Sequence, residues 1–127
     1  MVADRREILA VCAGGFIGAL ARAVLSDQIT HAPGAWPWAT FAANLAGAFV
    51  LGYVATSLGD RQHHRRLFIG TGFCGALTTF STLQLEVLQM LDEDAYPLAA
   101  AYVIVSVALG LLCVATAANL ARRRSAA

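Results

Sequence analysis

The chain contains no lysine, and its nine basic residues are all arginine. Charged residues of either sign make up only 13% of 127 positions, and there are just three prolines and three cysteines. So few charges cannot coat a soluble domain, in which roughly a quarter of residues are charged. Cys12, Cys74 and Cys113 fall singly inside apolar runs. They read as small buried hydrophobes, so neither a disulfide framework nor a cysteine metal site is expected. A catalytic constellation is lacking too. His31 and the pair His63-His64 stand beside turn or charged residues and read as solvated loop histidines, so an enzyme is not expected, nor is a nucleic-acid partner.

What is abundant is apolar. Hydrophobic residues are 58% of the chain and the mean hydropathy is +0.63. They gather into four runs, 8–25, 36–58, 67–91 and 96–120, close to the twenty or so helical residues that cross about 30 Å of hydrocarbon. Only helices or closed barrels satisfy every backbone group in lipid, and runs of this length select helices. The expected fold is therefore an all-α membrane protein, a single four-helix transmembrane domain over 1–127. Arg5 and Arg6 before the first run resemble a signal-peptide start, but no convincing cleavage region follows, so that run is expected to be retained.

The runs carry small and polar stripes. Gly14 and Gly18 lie four apart, a spacing that lets a second helix approach closely. Pro33-Gly34 predicts a turn, and Trp36 and Trp38 then fall where a span meets the headgroups. Thr40, Asn44, Ala48 and Gly52 form a stripe in steps of four, as do Tyr102, Ser106 and Gly110. Asp92-Glu93-Asp94 makes an acidic turn, and Pro97 suits the first turn of the last helix. Eight arginines, including Arg61, Arg65 and Arg66 of the second loop, would lie on one side of the membrane and Arg22 alone toward the other. The positive-inside rule then places both termini in the cytoplasm of a cell whose inner membrane holds the chain.

The densest polar stretch is 70–82, where glycines and hydroxyl residues crowd the middle of the third run. Glycine weakens a helix by about 1 kcal/mol relative to alanine, and broken backbone in hydrocarbon survives only under cover of protein or a polar cavity. A break is predicted there. The polar groups inside the runs are otherwise uncharged, which suits an anion or neutral solute; hydrogen bonding between helices is the plainer use. Asn44 is a candidate because an unpaired buried amide is costly, and Phe80 because an aromatic edge is electropositive. Glu86, well inside the third run, is expected either to reach an interface or to join a polar path.

Gly75-Ala76-Leu77-Thr78-Thr79-Phe80-Ser81-Thr82, with Asn44 in Thr40-Phe41-Ala42-Ala43-Asn44-Leu45-Ala46-Gly47 and Gly14-Gly15-Phe16-Ile17-Gly18-Ala19-Leu20-Ala21-Arg22, resembles the fluoride ion channel family called Fluc or CrcB. The resemblance implies an antiparallel dimer in which each third span breaks at its middle. It implies one structural Na⁺ held by backbone carbonyls at positions matching Gly75 and Thr78. It makes Asn44, Phe80, Ser81, Thr82, Tyr102 and Ser106 the ion path, with Arg22 a vestibule arginine. It further implies passive export of cytoplasmic fluoride.

Two departures stand out. Leu83 occupies the position where the family has a second phenylalanine, at i, i+3 from Phe80. The arginine bias is strong for a protein that must insert both ways, so pairing with an oppositely oriented related subunit is expected over a dual-topology homodimer. Two rivals remain open: a proton-coupled exporter of small organic cations, which needs a carboxylate deep in the first span where only Glu7 stands at the entrance, and a non-conducting structural partner of a channel dimer.

Overall fold

The computed structural model describes residues 4–58 and 62–125, and it is all helical among them. Gly59, Asp60 and Arg61 of the expected basic loop lie outside the described residues. Among the described residues three helices are long and apolar enough to cross a membrane: α1 (Arg5–Gln28), α2 (Trp38–Ser57) and α6 (Tyr96–Ser125). The third run is bent and segmented. It starts as α3 (His63–Arg66), widens into a π-wound stretch Leu67–Cys74, returns to α-helix as α4 (Gly75–Leu77), stops, and resumes as α5 (Phe80–Asp92). Three of the four expected runs are thus long helices, the first extending three residues further at each end and the last reaching Ser125.

The turns follow local chemistry. Gly34 has φ of 73°, a left-handed value that glycine adopts without a Cβ clash, in the predicted Pro33-Gly34 turn. Tyr96 starts α6 with Pro97 in its first turn, where the missing N–H breaks no helical bond.

Packing divides the molecule in two. On one side α1 lies backbone to backbone on the π-wound stretch. A Cβ added to Gly14 would sit 2.1 Å from the Phe68 carbonyl oxygen, and one on Gly18 would sit 2.2 Å from that of Phe73. Gly72 answers from the other helix, since its Cβ would meet the Val11 carbonyl oxygen at 2.6 Å. The spacing of Gly14 and Gly18 therefore marks a real seam, and lipid-embedded helices gain there from dispersion contacts between close backbones.

On the other side α2 and α6 run parallel and in register. Thr40 and Tyr102 both donate to Glu86, and twelve residues later on each helix a Cβ on Gly52 would meet the Val114 carbonyl oxygen at 2.8 Å. Thr40 and Tyr102 therefore share one level and Gly52 and Val114 another, whereas Gly110 of the second stripe has no atom within 4 Å of where a Cβ would stand. A cluster of Met90, Ala99 and Tyr102 closes this side at the end where Trp36 stands, with Leu83 packed against it. Trp36 meets Phe41 and Tyr102 edge to face at 5.3 and 5.2 Å, while Trp38 stays exposed.

Candidate functional site

The break between α4 and α5 falls at Thr78 and Thr79, which are extended at ψ of 152° and 120°. Thr78 turns back on the preceding turn: its N–H and its Oγ1 both donate to the Cys74 carbonyl, at 3.0 and 2.9 Å. A side chain competing for helix carbonyls in this way loosens the turn that follows. Gly47 makes room for it, since a Cβ there would lie 2.2 Å from the Thr78 methyl carbon.

Asn44 splices the gap. Its amide nitrogen donates to the Thr79 carbonyl at 3.2 Å, and its oxygen accepts from the Thr79 N–H at 2.8 Å. The Asn44 oxygen thereby replaces the acceptor that the interruption removes from the Thr79 N–H, while its nitrogen adds a donor to the carbonyl of a residue that is also the N-cap of α5. One amide hydrogen of Asn44 is left over. Thr79 then caps α5, accepting from the Thr82 N–H at 3.2 Å and donating to the Thr82 hydroxyl at 2.9 Å. Arg22 reaches in from α1 and donates through Nε to the Ala76 carbonyl at 3.0 Å. A cation at the C-terminal end of a short helix satisfies an orphan carbonyl and suits the local dipole. Arg22 is thus tied to the break itself.

The Thr79 N–H, which would otherwise close a turn on the Gly75 carbonyl, is committed to Asn44. Gly75 faces open space, with no atom within 4 Å of where a Cβ would stand. It opens on a groove of about 760 Å³ lined by Asn44, Gly47, Gly75, Thr78, Thr79 and Phe80 among others. Phe80 is 72% exposed at the rim of this groove. Leu83, expected on the same face, is instead turned inward onto the Met90–Tyr102 cluster. Helical spacing i, i+3 leaves about 60° between two side chains, enough here to put one outside and the other inside.

A second polar cluster lies one helical turn from Asn44. Glu86 is 6% exposed and accepts from the Thr40 hydroxyl with one oxygen and from the Tyr102 hydroxyl, at 2.7 Å, with the other. It is buried inside the chain, between α2 and α6. On α6, the Ser106 Oγ is buried without a partner, and the Trp36 Nε1 is likewise unpaired.

Asn44, Gly75, Thr78 and Phe80 therefore share the break and its groove, with Arg22 braced against the same break. Ser81 and Thr82 form the first turn of α5. Tyr102 stands apart, its hydroxyl proton taken by Glu86. Sequence reasoning missed the Thr40–Glu86–Tyr102 cluster and the splice at Thr79. The signal for the cluster was present in Thr40 preceding Asn44, and Tyr102 preceding Ser106, by the same four residues. No group of three or more His, Cys, Asp or Glu side chains able to hold a metal occurs among the described residues.

Known proteins are similar to this chain over most of its length. A family model described as CrcB-like protein, Camphor Resistance (CrcB), matches residues 9–118. A protein of Mycolicibacterium paratuberculosis named "Fluoride-specific ion channel FluC 1" is 51% identical over 123 residues, covering 94% of this chain and 93% of that protein. The "Fluoride-specific ion channel FluC 1" of Mycobacterium tuberculosis has the same identity and coverage. The "Fluoride-specific ion channel FluC" of Phenylobacterium zucineum is 43% identical over 124 residues, covering 93% and 97%.

Proposed function

The chain belongs to the CrcB family and is a subunit of a fluoride-exporting channel, and we propose that its conducting form is an antiparallel pair meeting at the open groove beside the break. The observation that carries this reading is the break itself. A helix interrupted at Thr78–Thr79, spliced by Asn44, opens on a groove whose rim residue Phe80 is 72% exposed. Such a groove in a lipid-embedded chain calls for protein cover.

In this arrangement the spare amide hydrogen of Asn44 and the hydroxyls of Ser81, Thr82 and Ser106 offer donors to fluoride, which carries its charge on a small, strongly hydrated ion. Ser106 supports that role because its buried hydroxyl has no other partner. Phe80 would present its ring edge across the groove. Arg22 adds a fixed positive charge near the path while holding the Ala76 carbonyl. Movement is down the gradient and lowers fluoride in the cytoplasm.

The Gly75 and Thr78 carbonyls would hold a structural Na⁺. Neutral, hard oxygens suit such an ion, and the diversion of the Thr79 N–H to Asn44 leaves the Gly75 carbonyl without its helical donor. Two carbonyls from one chain fall short of a full shell, and a two-fold partner would supply two more. The ion would offset the cost of unpaired carbonyls and favour an anion nearby.

The arginine asymmetry supports insertion with both termini in the cytoplasm, and so a related, oppositely inserted chain as partner in preference to a second copy. A C-terminal tag reached by reagent from one membrane face alone is the expected result; equal labelling from both faces overturns the preference. For the channel itself, liposomes carrying the assembled pair are expected to release fluoride down its gradient, and Phe80→Ile is expected to slow that release at least about tenfold, equal to about 1.4 kcal/mol. Unchanged release in Phe80→Ile removes the aromatic from the path.

A further inference from the structure

The groove beside the break has a second end. Its floor is the Asn44–Thr79 splice, and from there it runs between α2 and the third run toward Arg66, the last residue of α3. Halfway along, a Cβ on Gly70 would lie 3.5 Å from Leu51 and 3.9 Å from Val54, so the two walls run in opposite directions. Along α2 from Asn44 to Val54 the rise is about 15 Å, roughly half the hydrocarbon thickness. Arg66 is exposed and is the one charged side chain among the described residues that line the groove. Thr71, exposed on the same wall, lies between it and the floor. We propose that this groove is the half of the fluoride route on the arginine-rich side, and that Arg66 is the charge that gathers fluoride at its mouth. The proposal rests on the fluoride-channel reading for its flux consequences, and on the shape and charge of the groove for the rest.

Where the charge stands decides what it does. A cation deep between apolar walls would hold an anion; a cation at a wet mouth only enriches it. Two unit charges about 5 Å apart in water attract enough to raise the local fluoride concentration about fourfold. That is enough to favour capture and too little to delay release into the groove, whose low-dielectric walls focus the field inward. Arg22 does not serve this purpose, because its Nε is committed to the Ala76 carbonyl at the break. Beyond the mouth the Thr71 hydroxyl offers one donor before the Asn44 amide is reached. A partner lying along the lipid-facing side of the groove would close the trough into a passage, which is the cover that a polar trough in lipid requires.

The surroundings leave the field at this mouth positive. The Glu7–His63 contact at 2.9 Å brings the start of α1, with Arg5 and Arg6, to the same end of the molecule. The Arg124–Tyr53 contact at 3.5 Å brings the end of α6 there, with Arg122 and Arg123. The described carboxylates of this end are Asp4 and Glu7, and Glu7 is the one engaged by His63. Asp27, Asp92, Glu93 and Asp94 all stand at the opposite ends of their helices, across the membrane from Arg66.

The test uses the reconstituted pair, with fluoride release read by electrode at low fluoride and varied ionic strength. Arg66→Gln is expected to slow release about three- to fivefold at about 10 mM salt, and less than about 1.5-fold at about 1 M, where charges are screened within about 3 Å. Arg66→Lys keeps the charge and is expected to release like the native chain. Arg65→Gln removes a neighbouring charge that does not line the groove, and its effect is expected to be less than half as large. A deficit in Arg66→Gln that ignores salt, a deficit shared by Arg66→Lys, or an equal deficit in Arg65→Gln overturns the proposal. The groove is also read without fluoride, through Thr71→Cys in a chain whose Cys12, Cys74 and Cys113 are replaced by alanine. Sulfonatoethyl methanethiosulfonate, an anion, is expected to form a mixed disulfide there and release methanesulfinate. Relative to their rates on a free thiol, it should react about tenfold faster than the cationic trimethylammonioethyl reagent, and adding Arg66→Gln should cut that preference at least threefold. An unreactive Thr71→Cys, as when a partner or lipid fills the groove, overturns the proposal even if the channel conducts. A pair that conducts no fluoride but keeps the Arg66-dependent preference refutes the channel reading and leaves the anion-gathering groove standing.

Discussion

The two sides of this molecule are held by opposite means. Where α1 meets the π-wound stretch, the contact is made by what is missing: three glycines remove side chains so that carbonyls and α-carbons touch. Where α2, α5 and α6 meet, the contact is made by side chains that reach, with Thr40, Tyr102 and Glu86 closing a buried polar triangle and Asn44 splicing the break. A seam of backbones admits no addition, because a carbonyl cannot swing aside. A seam of hydroxyls admits subtraction, because each bond in lipid is worth only about 0.6–1.7 kcal/mol.

Substitutions can break that contrast, and the largest effect belongs to the glycine side. Gly18→Leu must drive a side chain into the Phe73 carbonyl, and is expected to cost more than about 3 kcal/mol and to abolish a folded, monodisperse protein in detergent. Gly15→Ala is its internal control, since the nearest atom to the new Cβ is 3.9 Å away and melting should hardly move. Next comes Asn44→Ala, which leaves the Thr79 N–H unpaired and removes one of the donors to its carbonyl. About 1–3 kcal/mol is at stake and fluoride release should fall at least tenfold, measured by melting and by electrode. Smaller still is Tyr102→Phe, which removes one donor from Glu86 at a cost of about 1–2 kcal/mol in thermal stability. The smallest change is expected from Thr116→Val. That exposed hydroxyl bonds only to its own helix, at Leu112 and Cys113, so melting should shift within about 0.5 kcal/mol. A Gly18→Leu that folds, or a Tyr102→Phe as damaging as Gly18→Leu, would erase the distinction between the two sides.

Much of the fold was legible because lipid imposes a length and a composition on each run. The glycine pair at Gly14 and Gly18 told of a close partner, though not that the partner would be a π-wound helix. That winding lies where α1 rests on Phe68, Gly72 and Phe73, contacts that are remote in sequence. Asn44 and the hydroxyls were found as candidates because polar groups are conspicuous in apolar runs. The splice at Thr79 was not, since which backbone group an amide meets depends on where another helix breaks. Leu83 was placed on the Phe80 face by spacing, yet the Met90–Tyr102 cluster draws it inward. Glu86 stood between two readings because burial cannot be read from position in a run when the helix bends. Its two donors come from helices remote in sequence.

The parallel register of α2 and α6 has a consequence for what lengths these helices can take. From the Thr40–Tyr102 level to the Gly52–Val114 level, each helix advances by the same twelve residues. The pair behaves like two combs meshed tooth for tooth, and a change of phase in one is felt at every tooth beyond it. One residue inserted between Thr40 and Gly52 would turn the remainder of α2 by about 100° and slide it by 1.5 Å. Gly52 would then face away from Val114 while α6 stayed put. A matching insertion at the same height in α6 would restore the mesh, so the lengths of these two helices are free to change only together.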